Sequence, residues 1–102
     1  MTQDLYKLLQ EDVTQVVVEL SDKEHPIFQA HFPNYPILPG FLLIEIFCEV
    51  LKCTPKRIIS AKFISHSNPK DTLYYTYEKK AEKTKVKVLN QNNEKVGEFS
   101  YE

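Results

Sequence analysis

The clearest hydrophobic pattern lies in the second half of the chain, where apolar and polar residues alternate along consecutive segments. Alternation with a period of two is typical of strands with one buried face. It predicts four strands, at residues 57–65, 72–80, 83–90 and 95–101. In residues 83–88 the lysines occupy one face and the threonine and valines the other, so one side of the sheet should face solvent.

The first half contains a different pattern. Residues 41–48 are apolar except at Glu45, which predicts a largely buried helix over about 40–53, before Pro55. The run of three valines in residues 13–20 predicts a strand, since β-branched residues favour strands.

Two segments near the N-terminus are less regular. Residues 4–10 predict a helical turn, and residues 21–39 predict a long irregular connection, a kind of loop that is often functional. The order of strand, loop, one apolar helix and four antiparallel strands, with Asn92-Asn93 at a hairpin turn, predicts one α+β domain over residues 1–102. In it a sheet wraps around the helix.

Composition narrows the function classes. The chain has 102 residues and a net charge of −1 with mixed signs, which argues against general nucleic-acid binding. No apolar run is long enough to span a membrane and no signal pattern opens the chain, so we expect a cytoplasmic protein without membrane contact. Cys48 and Cys53 lack metal-ligand spacing and are expected to be reduced, partly buried thiols. No metal or cofactor is expected, and His25 and His66 are predicted at the surface.

The most informative segment starts at His31. Three prolines (Pro33, Pro36 and Pro39) fix their own φ and push the preceding residues towards extended structure. A stiff loop of this kind can hold His31 in one place. The alternative is an ordinary, solvated loop histidine.

Glu45 is the second candidate, because it lies where the apolar surround of the helix ends. Burial of a carboxylate is costly unless it is paired, hydrogen-bonded or protonated. The alternative is an exposed polar stripe formed by Glu45, Glu49 and Lys52.

The segment resembles the motif of the (3R)-hydroxyacyl-acyl-carrier-protein dehydratases of the FabZ/FabA type, G-H-F-P-G-x-P-x-x-P-G followed by an acidic residue on the next helix. The matching residues are His31, Phe32, Pro33, Pro36, Pro39, Gly40 and Glu45. Residues 62–63 and 68–73 resemble a later K-F and P-G-D-x-L segment of the same family. Because it is shorter than typical FabZ-type enzymes, the chain resembles more the compact dehydratase-like proteins of aryl-polyene clusters.

Four positions depart from the family pattern. Ala30, Asn34 and Lys70 stand where the family has glycine, and Glu49 where it has glutamine. A second carboxylate one turn from Glu45 should raise the pKa of at least one of the two.

The resemblance implies a hot-dog fold and the removal of water from a (3R)-hydroxyacyl thioester carried on acyl-carrier protein, in fatty-acid or related acyl-chain biosynthesis. His31 would act as the base, the N–H of Gly40 would stabilise the enolate oxygen, and Glu45 would protonate the leaving hydroxyl. It also implies a homodimer or an oligomer of dimers, in which His31 and Glu45 come from different subunits.

Two further sets of residues are expected to contact the substrate or its carrier. The residues predicted to bind the acyl chain are Phe32, Pro33, Ile37, Leu38, Pro39, Phe41 and Phe63. The alternative is that such apolar residues only pack in the core of the domain. The residues predicted to dock the acidic carrier protein are Lys52, Lys56 and Arg57, with the Lys83, Lys85 and Lys87 face as second choice.

Two other functions remain open at this point. Hot-dog domains also serve as acyl thioesterases, in which an acid on the helix activates water. A non-catalytic acyl-binding or partner subunit is the other alternative, because a fold does not dictate function. The substitutions at Ala30, Asn34 and Glu49 keep it open.

Overall fold

The computed structural model describes residues 2–30 and 34–102. Within them, six strands and two helices follow one another along the chain. They are β1 (Tyr6–Glu11), β2 (Gln15–Leu20), α1 (Pro26–Ala30), α2 (Phe41–Leu51), β3 (Ile58–Phe63), β4 (Thr72–Lys80), β5 (Lys83–Leu89) and β6 (Lys95–Tyr101).

The strands form one antiparallel sheet in the order β1-β2-β4-β5-β6-β3. The second half of the chain matches the predicted alternation: Thr84, Val86 and Val88 are buried, and the three lysines of β5 are exposed. Among the described residues, strand β3 pairs only with β6, so within this part of the chain its other side is a free edge of the sheet.

Helix α2 packs on the inner face of this sheet. Its buried side chains are Leu42, Leu43, Ile46 and Phe47. The Phe47 ring lies 5.5 Å from that of Tyr75 and 5.6 Å from that of Phe99, and the Tyr75 hydroxyl donates to the Leu43 carbonyl at 2.8 Å. A sheet wrapped around one apolar helix is the α+β hot-dog arrangement, and that prediction is confirmed.

The C-terminus of α2 is a Schellman motif. Lys52 has a left-handed φ of 55°, and its N–H and that of Cys53 donate to the carbonyls of Glu49 and Cys48 at 3.3 and 2.9 Å. Cys48 and Cys53 are free, half-buried thiols, as predicted. Burial and the neighbouring Cys53 raise the pKa of Cys48 to about 12, so its thiol is protonated at neutral pH.

Two sequence-based predictions were wrong. The segment predicted to contain a helical turn, residues 4–10, instead forms most of β1, which pairs with β2. The connection predicted to be irregular contains α1, whose Ile27 and Phe28 are buried in the core. In both segments, contacts with distant parts of the chain override a weak local pattern.

Backbone torsions show an unusual use of glycine. Five non-glycine residues of the described chain have positive φ, namely Asp4, Lys52, Lys70, Ala81 and Asn93, and neither glycine does. Lys70 (φ 69°) occupies the position where the dehydratase motif has glycine, so the turn is kept without it. Asn93 confirms the predicted hairpin turn.

No helix within residues 2–30 and 34–102 combines the length and the apolar character that a membrane span requires.

Candidate active site

The N-terminus of α2 lies directly against β3. A Cβ built on Gly40 would come within 2.7 Å of the Cγ and Cδ2 atoms of Phe63. A Cβ on Gly97 would lie 2.8 Å from the Lys62 carbonyl oxygen and 3.6 Å from the Phe63 ring. The lack of a side chain at Gly40 therefore provides the space in which the Phe63 ring sits, whereas Gly97 permits the close approach of the Lys62 backbone. The structure thus brings together two predicted site residues, Gly40 and Phe63.

Gly40 also presents a free donor. The first turn of α2 closes through N–H groups of Leu42 and Leu43, which donate to the carbonyls of Pro39 and Gly40, both at 3.0 Å. The N–H of Gly40 itself has no hydrogen-bond partner among the described residues. An unpaired amide at a helix N-terminus favours negative charge, as an enolate oxygen requires.

Glu45 lies on the exposed face of α2, one turn after Phe41. Phe41 is 52% exposed and Phe63 47%. We call Gly40, Phe41 and Phe63 the α2–β3 corner. The apolar surround predicted for Glu45 is absent from the described part of a single chain, because the buried side chains of α2 point to the other side.

Glu49 behaves differently from the prediction. Its carboxylate accepts hydrogen bonds from the hydroxyls of Thr2 and Tyr6, the latter at 2.6 Å. These bonds lower the pKa of Glu49, because they stabilise its charged form. Glu49 is therefore not the carboxylate with a raised pKa that was expected of at least one of the two, and it is held as an anion by donors that the sequence pattern did not reveal.

The predicted base and the remaining predicted substrate contacts fall into three groups. His31, Phe32 and Pro33 lie outside the described residues. Ile37 and Leu38 are buried, Leu38 in the main core, and its N–H donates to the Ser67 carbonyl at 2.8 Å. The half-buried Pro39 leads into the α2–β3 corner.

The predicted carrier-docking residues are all exposed: the first-choice set lies around the end of α2, and the second-choice lysines lie on β5. Arg57 pairs with Glu102 through Nε and Oε1 at 2.6 Å, and this partner reduces the charge that Arg57 offers. Lys52 and Lys56 form no ion pair with the described residues. The positive character of this surface therefore rests mainly on the two lysines.

His25 is a residue whose role sequence reasoning missed. It was predicted at the surface, but it is half-buried and its Nδ1 accepts from the Ile27 N–H at 3.0 Å. It is thus the N-cap of α1, with Pro26 in the first helical position. A capping residue followed by proline is the sequence signal that could have revealed this helix.

The later motif segment forms a turn that supports the loop before α2. Asp71 is buried, and its carboxylate accepts from the Asn68 N–H at 2.8 Å and from the Gln91 amide at 3.0 Å. The role of Asp71 in this part of the motif is structural.

A protein-family model described as ApeI dehydratase, of the ApeI-like family, matches residues 8–100. The chain belongs to the ApeI-like family. Among curated relatives, it is 37% identical over 84 residues to the 3-hydroxyacyl-[acyl-carrier-protein] dehydratase FabZ of Petrotoga mobilis, a match covering 68% of this chain and 60% of that protein. The FabZ of Thermotoga neapolitana is 37% identical over 76 residues, covering 65% and 53%. The matches thus span little more than half the length of these relatives.

Solved structures agree on the fold. The dehydratase heterocomplex ApeI:P from Xenorhabdus doucetiae superposes with a TM-score of 0.72 at 18% identity, covering 94% of this chain and 92% of that one. A hypothetical thioesterase with coenzyme A from Streptococcus pneumoniae gives a TM-score of 0.62 at 14% identity, covering 94% and 84%. Dehydratases and thioesterases thus share this architecture, and the fold alone does not separate them.

Proposed function

We propose that this chain is a dehydratase that removes water from a (3R)-hydroxyacyl thioester carried on acyl-carrier protein, giving the trans-2-enoyl thioester. The observation that carries the proposal is the family match over residues 8–100, within which His31, Gly40 and Glu45 keep the order and spacing of the dehydratase motif. The FabZ relatives, which are 3-hydroxyacyl-[acyl-carrier-protein] dehydratases, support a hydroxyacyl substrate on a carrier protein.

The reaction requires two proton transfers. The neutral imidazole of His31 accepts the proton from C2 of the acyl chain, and the electrons of that C–H bond form the C2–C3 double bond as the C3–O bond breaks. Glu45, protonated, gives its proton to the departing hydroxyl, which leaves as water. A protonated carboxyl at this step requires a site with little water, as in other enzymes that use a carboxylic acid as proton donor.

Negative charge on the thioester oxygen develops during this step. The N–H of Gly40, which has no partner within residues 2–30 and 34–102, is available to donate to it, helped by the dipole of α2. The lack of a side chain on Gly40 also permits close approach of the thioester. Phe41 and Phe63 flank this point and supply apolar surface for the acyl chain.

We propose that a second subunit completes the site. The free edge of β3 carries Ile58 (43% exposed) and Phe63, and an unpaired edge with apolar side chains favours pairing with another strand. Pairing at this edge would cover the α2–β3 corner and remove Glu45 from water. The preferred partner is a second copy of this chain. The ApeI:P dehydratase is a heterocomplex, and this makes a different second chain the alternative.

The direct test measures enoyl-thioester absorbance when the purified protein is given 3-hydroxybutyryl or crotonyl thioesters. We expect reversible hydration and dehydration. Release of free thiol without an enoyl product would indicate the thioesterase alternative. No reaction by the pure chain, with activity restored by a second hot-dog chain, would indicate the partner-subunit alternative.

Shared sites are tested by mixing two inactive variants, His31→Ala and Glu45→Gln, after subunit exchange. If each site uses His31 from one subunit and Glu45 from the other, half of the dimers contain one intact site, so about a quarter of wild-type activity returns. Sedimentation of an active monomer, or no recovery in the exchanged mixture, would reject the shared site.

A further inference from the structure

Residues 2–6, which end on the first residue of β1, connect the two helices. We call residues Thr2–Tyr6 the N-terminal strap. Leu5 is fully buried in the core, its N–H donates to the Thr2 carbonyl at 3.0 Å, and its carbonyl accepts from the Ser21 N–H at 2.7 Å. The strap is therefore packed against the domain rather than extended into solvent.

On one side the strap binds α2. The hydroxyls of Thr2 and Tyr6 donate to different oxygens of the Glu49 carboxylate, Oε2 and Oε1. Hydrogen bonds to a charged acceptor are stronger than neutral ones. Glu49 lies one turn after Glu45 on the same face, so these contacts hold the part of α2 that carries the proposed acid.

On the other side the strap binds the N-terminus of α1. The Gln3 carbonyl accepts from His25 Nε2 at 2.7 Å. Because Nδ1 already accepts from the Ile27 N–H, the proton must be on Nε2, and His25 is neutral in this arrangement. The His25 carbonyl also accepts from the N–H groups of Phe28 and Gln29, both at 3.0 Å. Ala30, the last residue of α1, directly precedes His31 in the sequence.

We propose that the N-terminal strap fixes α1 and α2 relative to each other, with His25 and Glu49 as positioning residues for the dehydration reaction. This inference rests on the proposed function. The two helices border the segments that supply the proposed base and acid. The strap contacts both, through the Gln3 carbonyl on the α1 side and through the Thr2 and Tyr6 hydroxyls on the α2 side. It also explains why glutamate suits position 49, where the family has glutamine. Both carboxylate oxygens can accept a hydrogen bond from a hydroxyl, whereas an amide has one oxygen and an NH₂ group that only donates.

The kinetic test is a double-mutant cycle with His25→Ala and Glu49→Ala. Misplacement of reacting groups by about 1 Å can cost on the order of 10²-fold in rate. We expect each variant to lower kcat by ~10–100-fold with KM nearly unchanged. Because both release the same strap, the double variant should lose little more than the worse single variant. Losses that multiply would overturn the proposal, because they indicate two independent local effects.

A second pair of variants separates bridging from capping. Asparagine is among the best N-cap residues, so His25→Asn keeps an acceptor for the Ile27 N–H but is too short to replace the contact with Gln3. We expect His25→Asn to lose kcat as His25→Ala does. Wild-type kcat in His25→Asn would show that only the cap matters, and would overturn the proposal.

Hydrogen exchange tests the strap without any activity. Under conditions in which every variant is folded, Glu49→Ala and the milder Tyr6→Phe should speed amide exchange in α1, although both changes lie at the contact of the strap with α2 and remove no atom of Gln3 or His25. The matched control is Tyr74→Phe, since the Tyr74 hydroxyl has no hydrogen-bond partner among the described residues. Unchanged exchange in α1 would refute the coupling. If the wild-type protein dehydrates no thioester, the proposed function fails while this measurement still decides whether the strap couples the helices.

Discussion

The two faces of α2 contrast in how much of their environment one chain provides. The buried face packs Leu42, Ile46 and Phe47 on the sheet, and Phe47 alone contacts several aromatic rings. The other face exposes Phe41 and Glu45. The same helix is thus a completed core element on one side and an uncovered apolar and acidic surface on the other.

The buried face of α2 stabilises the fold, whereas the exposed face carries the residue proposed for proton transfer. Core contacts are specified by side chains of this chain and need no second molecule. A carboxyl that donates a proton at neutral pH needs an apolar surround, and the exposed face acquires one only by being covered. The following predictions test how far this separation holds, from the largest expected effect to the smallest.

On the exposed face, Glu45→Gln and, in the preceding loop, His31→Ala should each lower the dehydration rate by ~10²–10⁴-fold, the usual contribution of a general acid or base. The circular dichroism spectrum should not change. Glu82→Gln removes an exposed carboxylate at the β4–β5 turn and is the matched control. Near-full activity of His31→Ala would remove the basis of the dehydratase assignment.

On the buried face, Phe47→Ala should lower the free energy of unfolding by ~3–5 kcal/mol, because it leaves a cavity among the aromatic rings. Urea unfolding measures this loss. The comparison variant is Phe41→Ala, whose effect should depend on protein concentration if Phe41 lies in a subunit interface, whereas that of Phe47→Ala should have a concentration-independent part. Equal, concentration-independent losses would contradict the contrast between the two faces.

Where the faces meet, Gly40→Ala should destabilise the fold by ~1–3 kcal/mol, as overpacking does, since the added methyl would overlap the Phe63 ring. A smaller side chain at Phe63 should relieve the overlap, so that Gly40→Ala combined with Phe63→Leu is more stable than the sum of the two single effects predicts. Thermal unfolding of the three variants is the measurement. Strictly additive effects would show that overlap with the Phe63 ring does not cause the destabilisation by Gly40→Ala.

Beyond the end of α2, charge reversal should affect the carrier-borne substrate only. We expect Lys56→Glu to raise KM for the acyl-carrier-protein substrate several-fold, and Arg57→Glu to have a smaller effect since Glu102 already pairs with Arg57. Small thioester analogues are the control. Salt should reduce the difference, because the Debye length is about 10 Å at 0.1 M. Equal losses on both substrates would reject this docking surface.

The smallest effect concerns acid stability. The pKa of Glu49 is lowered in the folded chain by hydrogen bonds from Thr2 and Tyr6, so its carboxylate adds stability above the ordinary pKa that is lost as pH falls through the lowered value. Glu49→Gln should therefore have a melting temperature that falls less between pH 7 and about pH 3. Because Glu49 is exposed, the difference will be small. An unchanged pH profile would show that the Glu49 contacts do not contribute.

The strands of the second half and α2 were predictable because their patterns are local: β5 alternates, and residues 41–48 are almost entirely apolar. β1 was not, since its outward residues are exposed and its pairing with β2 decides its conformation. At the candidate site, Glu45 was singled out by the apolar run around it and Gly40 by the motif, and their roles stay predictions. The sequence did not predict the contact of Gly40 with Phe63 or the hydroxyl donors of Glu49, because these contacts join residues far apart in the chain.

The distribution of positive φ angles has a consequence for engineering this protein. The described chain places Lys70 and Ala81, rather than glycine, in the left-handed region. Each such residue costs about 1–2 kcal/mol relative to a backbone without a Cβ, offset in part by the greater freedom of glycine when unfolded. Both positions lie in turns. Introducing glycine at these two positions should therefore raise the free energy of unfolding.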